Sequence, residues 1–296
     1  MFIDGAERVL HAPVLPAVGD WIAVRDEAVH AVLPRWSELT RADPSGAAVQ
    51  VLAANIDLIV ITTPADRLSP ARVERELTLA WDSGAQPLVA LTKCDLADED
   101  IARSLAVRLV GVEVLPTSAA TGLGVQELRE LLRPARTAVL MGPSGAGKST
   151  LANAVIGAEV MATAAVRDGD HRGRHTTSSR QLIPVPGGGV LIDTPGLRSL
   201  GLSGHVSVEA AFPDIESLAG NCRFSDCRHQ TEPGCAVVAA VSTGDLDRDR
   251  LTSFLKLQRE ASAQARRSDP LLRRAELSVW KSRVRSAKLN DKRRPR

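Results

Sequence analysis

Four short motifs fall in an order that restricts this chain to one kind of sheet: TKCD (Thr92–Asp95), TSA (Thr117–Ala119), GPSGAGKS (Gly142–Ser149) and DTPG (Asp193–Gly196). Each closes a short apolar run, respectively PLVAL, VEVLP, TAVLM and VLI, and a further run, IDLIVITT, precedes them all. The pattern predicts helices between the runs, at Pro70–Ser83, Asp98–Leu109, Val125–Leu132 and from Gly147 through Val155. Strands alternating with helices build a parallel sheet covered on both faces. Ligands of such a sheet bind at the carboxyl ends of its strands, where all four motifs fall.

GPSGAGKS follows a strand and opens the helix STLANAVI, the context a phosphate-binding loop requires. Gly142, Pro143, Ser144, Gly145, Ala146 and Gly147 let the backbone curl so that successive amides face phosphate oxygens, and the helix start at Lys148, Ser149 and Thr150 adds positive potential. Lys148 is expected to reach the β- and γ-phosphates and Ser149 to ligate Mg²⁺. The competing reading, a plain strand–helix turn, makes GxxxxGKS here a coincidence. Asp193, at the end of its strand, is placed to hold Mg²⁺ through water, and the Gly196 amide to bond the γ-phosphate.

TKCD looks like a base-reading NKxD motif, in which the Asp95 carboxylate accepts from the ring N–H and exocyclic amine of guanine. Adenine offers no such donor pair and would leave that carboxylate unpaired. Lys93 is expected to lay its stem along the base, and Ser118-Ala119 to offer a backbone amide to the guanine oxygen. Thr92 stands where Asn is usual, which changes one supporting contact. Cys94 reads as a small buried residue. The four motifs together are the parts of a GTPase active site. In an ordinary GTPase the phosphate loop comes first and the base-reading motifs last, so this domain is circularly permuted. The competing classes are a P-loop ATPase or kinase, against which Asp95 argues, and a nucleotide-independent RNA-binding module, against which intact Lys148, Ser149 and Asp193 argue.

Between Ala162 and Gln181 a polar, Gly- and Arg-rich stretch reads as a switch loop. Within it either Thr176 or Thr177 could complete the Mg²⁺ shell, with Thr177 preferred. His171 and His175 read either as solvent-exposed or as groups that position water or meet a partner. After DTPG comes Leu197, where Ras-like enzymes carry the glutamine that orients the attacking water. The isolated chain is therefore expected to hydrolyse slowly and to depend on a group from a partner or a rearranged loop. Gly145 occupies the position where potassium-using GTPases often carry Asn.

Cys222, Cys227, His229 and Cys235 bring three thiols and an imidazole within 14 residues, matching the Cys3His set of a closed structural zinc site with no open position for catalysis. No secretory leader is evident in MFIDGAERVLHAPVLP, so a reducing, cytoplasmic location is expected, where such cysteines hold metal rather than disulfides. Residues 251–296 contain 14 Lys/Arg against four acidic residues, while the rest holds 23 against 31. Such a basic block marks a nucleic-acid contact or a solvated helix. Residues 1–50 carry short extended runs with turn punctuation, including Pro44–Ser45–Gly46, and read as a small β module. An oligonucleotide-binding (OB) barrel usually needs about 70 residues, so the module is an incomplete or reduced one.

Taken with VGDW, VLPR, GRHTT, DTPGLR, CRFSDCRHQTEPGC and SFLKLQRE, these motifs make the chain resemble, over nearly its whole length, the ribosome small-subunit-dependent GTPase A family, RsgA or YjeQ. The resemblance implies a multidomain α/β architecture: an OB-like β module at 1–50, a circularly permuted P-loop GTPase with a parallel sheet at 51–204, and a zinc-binding, basic helical domain at 205–296. It also implies a GTP phosphohydrolase of late small-subunit (30S) maturation, with GTP or GDP, Mg²⁺ and one structural Zn²⁺. The expected partners are the small ribosomal subunit and its rRNA; the expected state is a monomer without membrane attachment.

Overall fold

The structure, a computed structural model, describes residues 2–3, 6–7, 10–12, 15–42, 49–132, 136–161, 181–193, 201–202 and 206–268. The N-terminal part holds three antiparallel strand pairs: β1 (Phe2–Ile3) with β2 (Ala6–Glu7), β3 (Ile22–Arg25) with β4 (Ala28–Val32), and β5 (Glu38–Ala42) with β6 (Val49–Ala54). VGDW and VLPR meet here. Asp20, its side chain fully buried, takes Arg35 in a two-point ion pair at 2.7 and 2.8 Å and also accepts from the Ala17 amide at 2.7 Å. Gly19 is required next to Asp20, because a Cβ there would fall 2.1 Å from the Ala54 carbonyl oxygen.

The central sheet contains β7 (Leu58–Pro64), β8 (Gln86–Thr92), β9 (Glu113–Pro116), β10 (Thr137–Met141), β11 (Gln181–Pro184) and β12 (Val190–Asp193). Their spatial order is β11-β12-β10-β7-β8-β9, with every pairing parallel except β11 with β12. Transferring residues 137–193 ahead of 58–116 would return the phosphate loop to the front without moving a strand in space. The topology is thus a permuted one. The antiparallel edge β11 was not foreseen; its four residues, QLIP, abut the polar stretch and alternate too briefly to read as a strand.

Side chains alternate across these strands, and both faces are dry. Leu58 and Val60 of β7, Leu88 and Ala90 of β8, and Ala138 and Leu140 of β10 pack toward α3 (Val125–Leu131) and α4 (Lys148–Ile156). Their neighbours Ile59, Ile61, Val89, Leu91, Val139 and Met141 pack on the opposite face, under α1 (Pro70–Asp82) and α2 (Asp100–Arg108). Each large aliphatic side chain so buried contributes about 1.5–3 kcal/mol, which is why these runs form continuous apolar strands rather than alternating ones.

That second face is shared. Leu39 of β5 and Leu52 of β6 join its cluster, as do Phe212, Ile215 of α5 (Pro213–Ala219), Val237 of α6 (Ala236–Thr243), and Phe254 and Leu257 of α7 (Arg248–Ser268). A buried charge network sits at the junction. Glu74 of α1 accepts from Arg108 at 2.8 Å and from Arg250 of α7 at 3.1 Å, and Arg250 clasps Asp214 of α5 with two bonds of 2.6 Å. The Arg250 guanidinium also lies 4.6 Å over the Phe212 ring. No helix among the described residues is long and apolar enough to cross a membrane.

Candidate functional site

The phosphate loop leaves β10 in the middle of the sheet. Gly142, Gly145 and Gly147 have φ of 149°, 76° and 87°, and Gly142 is further obliged to lack a side chain because a Cβ would meet the Thr62 carbonyl at 2.3 Å. Pro143 is half-buried, Ser144 and Gly145 are exposed, and Ala146 is buried beneath them. The Lys148 ammonium donates to the Gly142 and Pro143 carbonyls at 2.9 and 2.7 Å, so the cation is held at the loop's mouth. Ser149 and Thr150 lie in the first turn of α4, whose leading amides have no intrahelical acceptor. Asp193 ends β12 beside the phosphate-loop strand. Thr176, Thr177, Gly196, Leu197, His171 and His175 lie outside the described residues.

The base-reading loops stand at the ends of β8 and β9, with β7 between them and the phosphate-loop strand. Lys93 takes a left-handed conformation, φ 58°, that starts the turn Cys94–Leu96 after β8. The Asp95 carboxylate is exposed and has no protein partner among the described residues. Cys94 is half-buried, its amide donating to the Thr117 carbonyl at 3.2 Å, which fastens the two base-reading loops together. The Ser118 amide is committed to the Leu123 carbonyl at 2.9 Å, so of the pair Ser118-Ala119 it is the Ala119 amide that stays available.

Thr92 does more than sequence reasoning assigned it. Its buried hydroxyl donates to the Ala146 carbonyl at 2.6 Å, tying the base-reading strand to the phosphate loop. The two halves of the site are joined by this bond and by the β7–β8 and β7–β10 pairings beneath. Replacing Thr92 with Val removes the hydroxyl at nearly constant shape and leaves a buried carbonyl without its donor. About 1–3 kcal/mol of stability is lost by urea denaturation, and GDP dissociates roughly tenfold faster as the loops uncouple, measured with a fluorescent GDP.

Glu76 of α1 adds a further charge near the loop. Burial pushes its carboxyl up to about 7, against the lowering influence of Arg72, Lys148 and Arg75. Its Oε2 is buried without a hydrogen-bond partner among the described residues.

The metal ligands predicted from sequence converge. The donor atoms of Cys222, Cys227, His229 and Cys235 all lie within 4.8 Å of one another. His229 Nδ1 is 3.6 Å from Cys222 Sγ and 3.5 Å from Cys235 Sγ, and the two sulfurs are 3.9 Å apart. A tetrahedron with Zn–S of about 2.3 Å and Zn–N of about 2.0 Å has edges of roughly 3.5–3.8 Å, so the set fits zinc. The start of α6 supports it. Cys235 is the cap residue and accepts from the Val238 amide at 3.4 Å. At Cys222, desolvation raises the thiol, yet hydrogen bonds from the Val237 and Ala236 amides, joined by those with Cys235 and Cys227, bring the group below its ordinary value. His229, with φ 56°, turns inward and is buried.

A phosphate loop on a central strand, the TKCD and TSA loops at the ends of β8 and β9 to one side, and a permuted order define a circularly permuted P-loop GTPase. Residues 32–203 match the RsgA GTPase family. The chain belongs to that family. It is 46% identical over 291 residues to the small ribosomal subunit biogenesis GTPase RsgA of Streptomyces avermitilis, covering 94% of this chain and 78% of that one. The protein of the same name from Opitutus terrae is 44% identical over 298 residues, covering 93% and 81%. Among solved structures, YjeQ from Thermotoga maritima matches with a TM-score of 0.62 at 27% identity over 84% of this chain and 85% of that one. YloQ, described as a circularly permuted GTPase, has the same fold, with a TM-score of 0.60 at 24% identity over 90% of each chain.

Proposed function

We propose that this chain is a GTP-hydrolysing assembly factor of late small-subunit maturation, working as a cytoplasmic monomer whose turnover the subunit stimulates. The observation that carries this is the Thr92–Ala146 bond, which holds a guanine-reading loop and a phosphate loop at one sheet edge, in a chain whose relatives are named small ribosomal subunit biogenesis GTPases. Asp95 reads the guanine donors, Lys93 lies along the base, and the Ser118-Ala119 turn meets the guanine oxygen through the Ala119 amide. Gly142 through Thr150 cradle the phosphates, with Lys148 on the β- and γ-oxygens and the Gly196 amide on the γ-phosphate. Ser149, Thr177 and Asp193 would hold Mg²⁺, which when bound would neutralise phosphate charge. The basic C-terminal stretch supplies the rRNA contact.

The reaction is slow without a partner, because Leu197 cannot orient water. Titrating purified small subunits into the protein should raise GTP turnover at least tenfold, with ATP failing to compete. Equal turnover with and without subunits would refute the coupling, and Lys148→Ala should abolish turnover in both conditions.

A further inference from the structure

The turn Ala65–Arg67, which follows β7 at the carboxyl edge of the sheet, brings a cation to the phosphate loop. A Cβ built on Gly145 would lie 3.8 Å from Arg67 Nη2, and among the described residues no other atom beyond its immediate chain neighbours comes within 4 Å. Arg67 is not a structural arginine. Its side chain is 61% exposed, and its acidic neighbour Asp66 touches it only through Nε at 3.5 Å while also facing Lys93 Nζ at 3.9 Å. Exposed pairs of this kind are weak, so the guanidinium is available to an anion.

We propose that Arg67 acts from within the chain as the cation that stabilises charge on the phosphates during GTP hydrolysis, an inference that rests on the nucleotide site described above. In that reaction the water oxygen bonds to the γ-phosphorus as the bond to the β–γ bridging oxygen breaks. The electron pair passes to the β-phosphate of GDP, and the proton of water leaves with inorganic phosphate. Arg67 exchanges no proton; it meets negative charge that grows on the bridging and β-oxygens. Two features of the chain demand such a group. Leu197 removes the water-orienting amide, which shifts the burden of catalysis toward charge stabilisation. Gly145 lacks the Asn that in potassium-using GTPases helps seat a monovalent cation, and the guanidinium lies over that bare position. Arginine suits the role because its planar fork spans two phosphate oxygens and it stays charged at any working pH.

The test compares GTP turnover by the full-length chain with that of Arg67→Ala and Arg67→Lys, together with GDP affinity and assembly of the GDP–aluminium fluoride complex, which imitates the phosphoryl group in transfer. Arg67→Ala is expected to lower kcat by about 10²-fold with KM and GDP affinity within twofold of the parent, and to lose the aluminium fluoride complex; Arg67→Lys recovers part of kcat. An unchanged kcat in Arg67→Ala would overturn the proposal. So would kcat and GDP affinity falling in step, since the arginine would then only shape the loop. A parent chain that binds no guanine nucleotide would overturn the site itself, a result told apart by the parent's own binding curve.

Discussion

Stripping the metal with a chelator, or replacing Cys235 with Ser, lowers the melting temperature by about 10 °C or more and unfolds the segment around Cys222–Cys235 first. The size follows from what the four ligands hold. Between Cys222 and Cys235 there is no described helix or strand, only turns that a metal can organise. His229 is buried beside Phe254, ring centroids 6.4 Å apart, and Phe254 stacks edgewise on Phe212 at 5.3 Å. Loss of the metal therefore opens the apolar cluster beneath the sheet as well as the loop itself. Circular dichroism melts with and without chelator check this, with Cys94→Ser as the control. Cys94 lies outside the metal cluster, its thiol bonded to the Leu91 carbonyl, and its replacement leaves the melt nearly unchanged. A melt indifferent to chelation would mean that the four residues do not hold an ion.

Replacing Arg250 with Met costs about 3–5 kcal/mol in urea denaturation, shifting the midpoint with little change in slope. Removing the guanidinium leaves Glu74 with Arg108 as its one remaining cation among the described residues, although its side chain has no solvent exposure and its Oε2 already lacks a partner among them. Asp214 loses both of its bonds at the same time. The cost belongs to carboxylates left short of positive charge more than to the lost attraction, so Glu74→Gln in the Arg250→Met background recovers part of the stability. If the double variant were as unstable as the sum of the two single ones, the residues would act independently and the buried network would not be the cause.

Much of this was legible in the sequence because the informative signals are local. Five of the six central strands are apolar runs, four of them ended by a motif, and the helices between them have the expected period. GxxxxGKS declares its own strand–loop–helix context, and the metal ligands lie close along the chain. What stayed hidden depends on contacts between distant residues. Glu74 and Arg250 are 176 positions apart, and nothing in either neighbourhood announces an ion pair. Asp20 and Arg35 stand in two motifs visible in sequence, yet their pairing is a fact of folded geometry. Thr92 read as a departure from the usual Asn, whereas its hydroxyl reaches the phosphate loop. Arg67 sits in an ordinary polar turn, and only the adjoining glycine in space makes it noteworthy. The chemistry of the switch residues at Thr177 and Gly196 rests on motif alone.

The permuted topology also governs the sequence of events as the polypeptide emerges during its own synthesis. β7 is made early and gains β8 soon after, but its other flank waits for β10, which arrives about eighty residues later, as the Thr62–Met141 bond spanning 79 positions records. The nascent half that carries the TKCD and TSA loops must therefore survive with one open parallel edge until the half that carries GPSGAGKS is translated. Nucleotide cannot help it during that interval. A chain of this layout is most exposed to misassociation at a stage when its eventual ligand has nothing yet to hold.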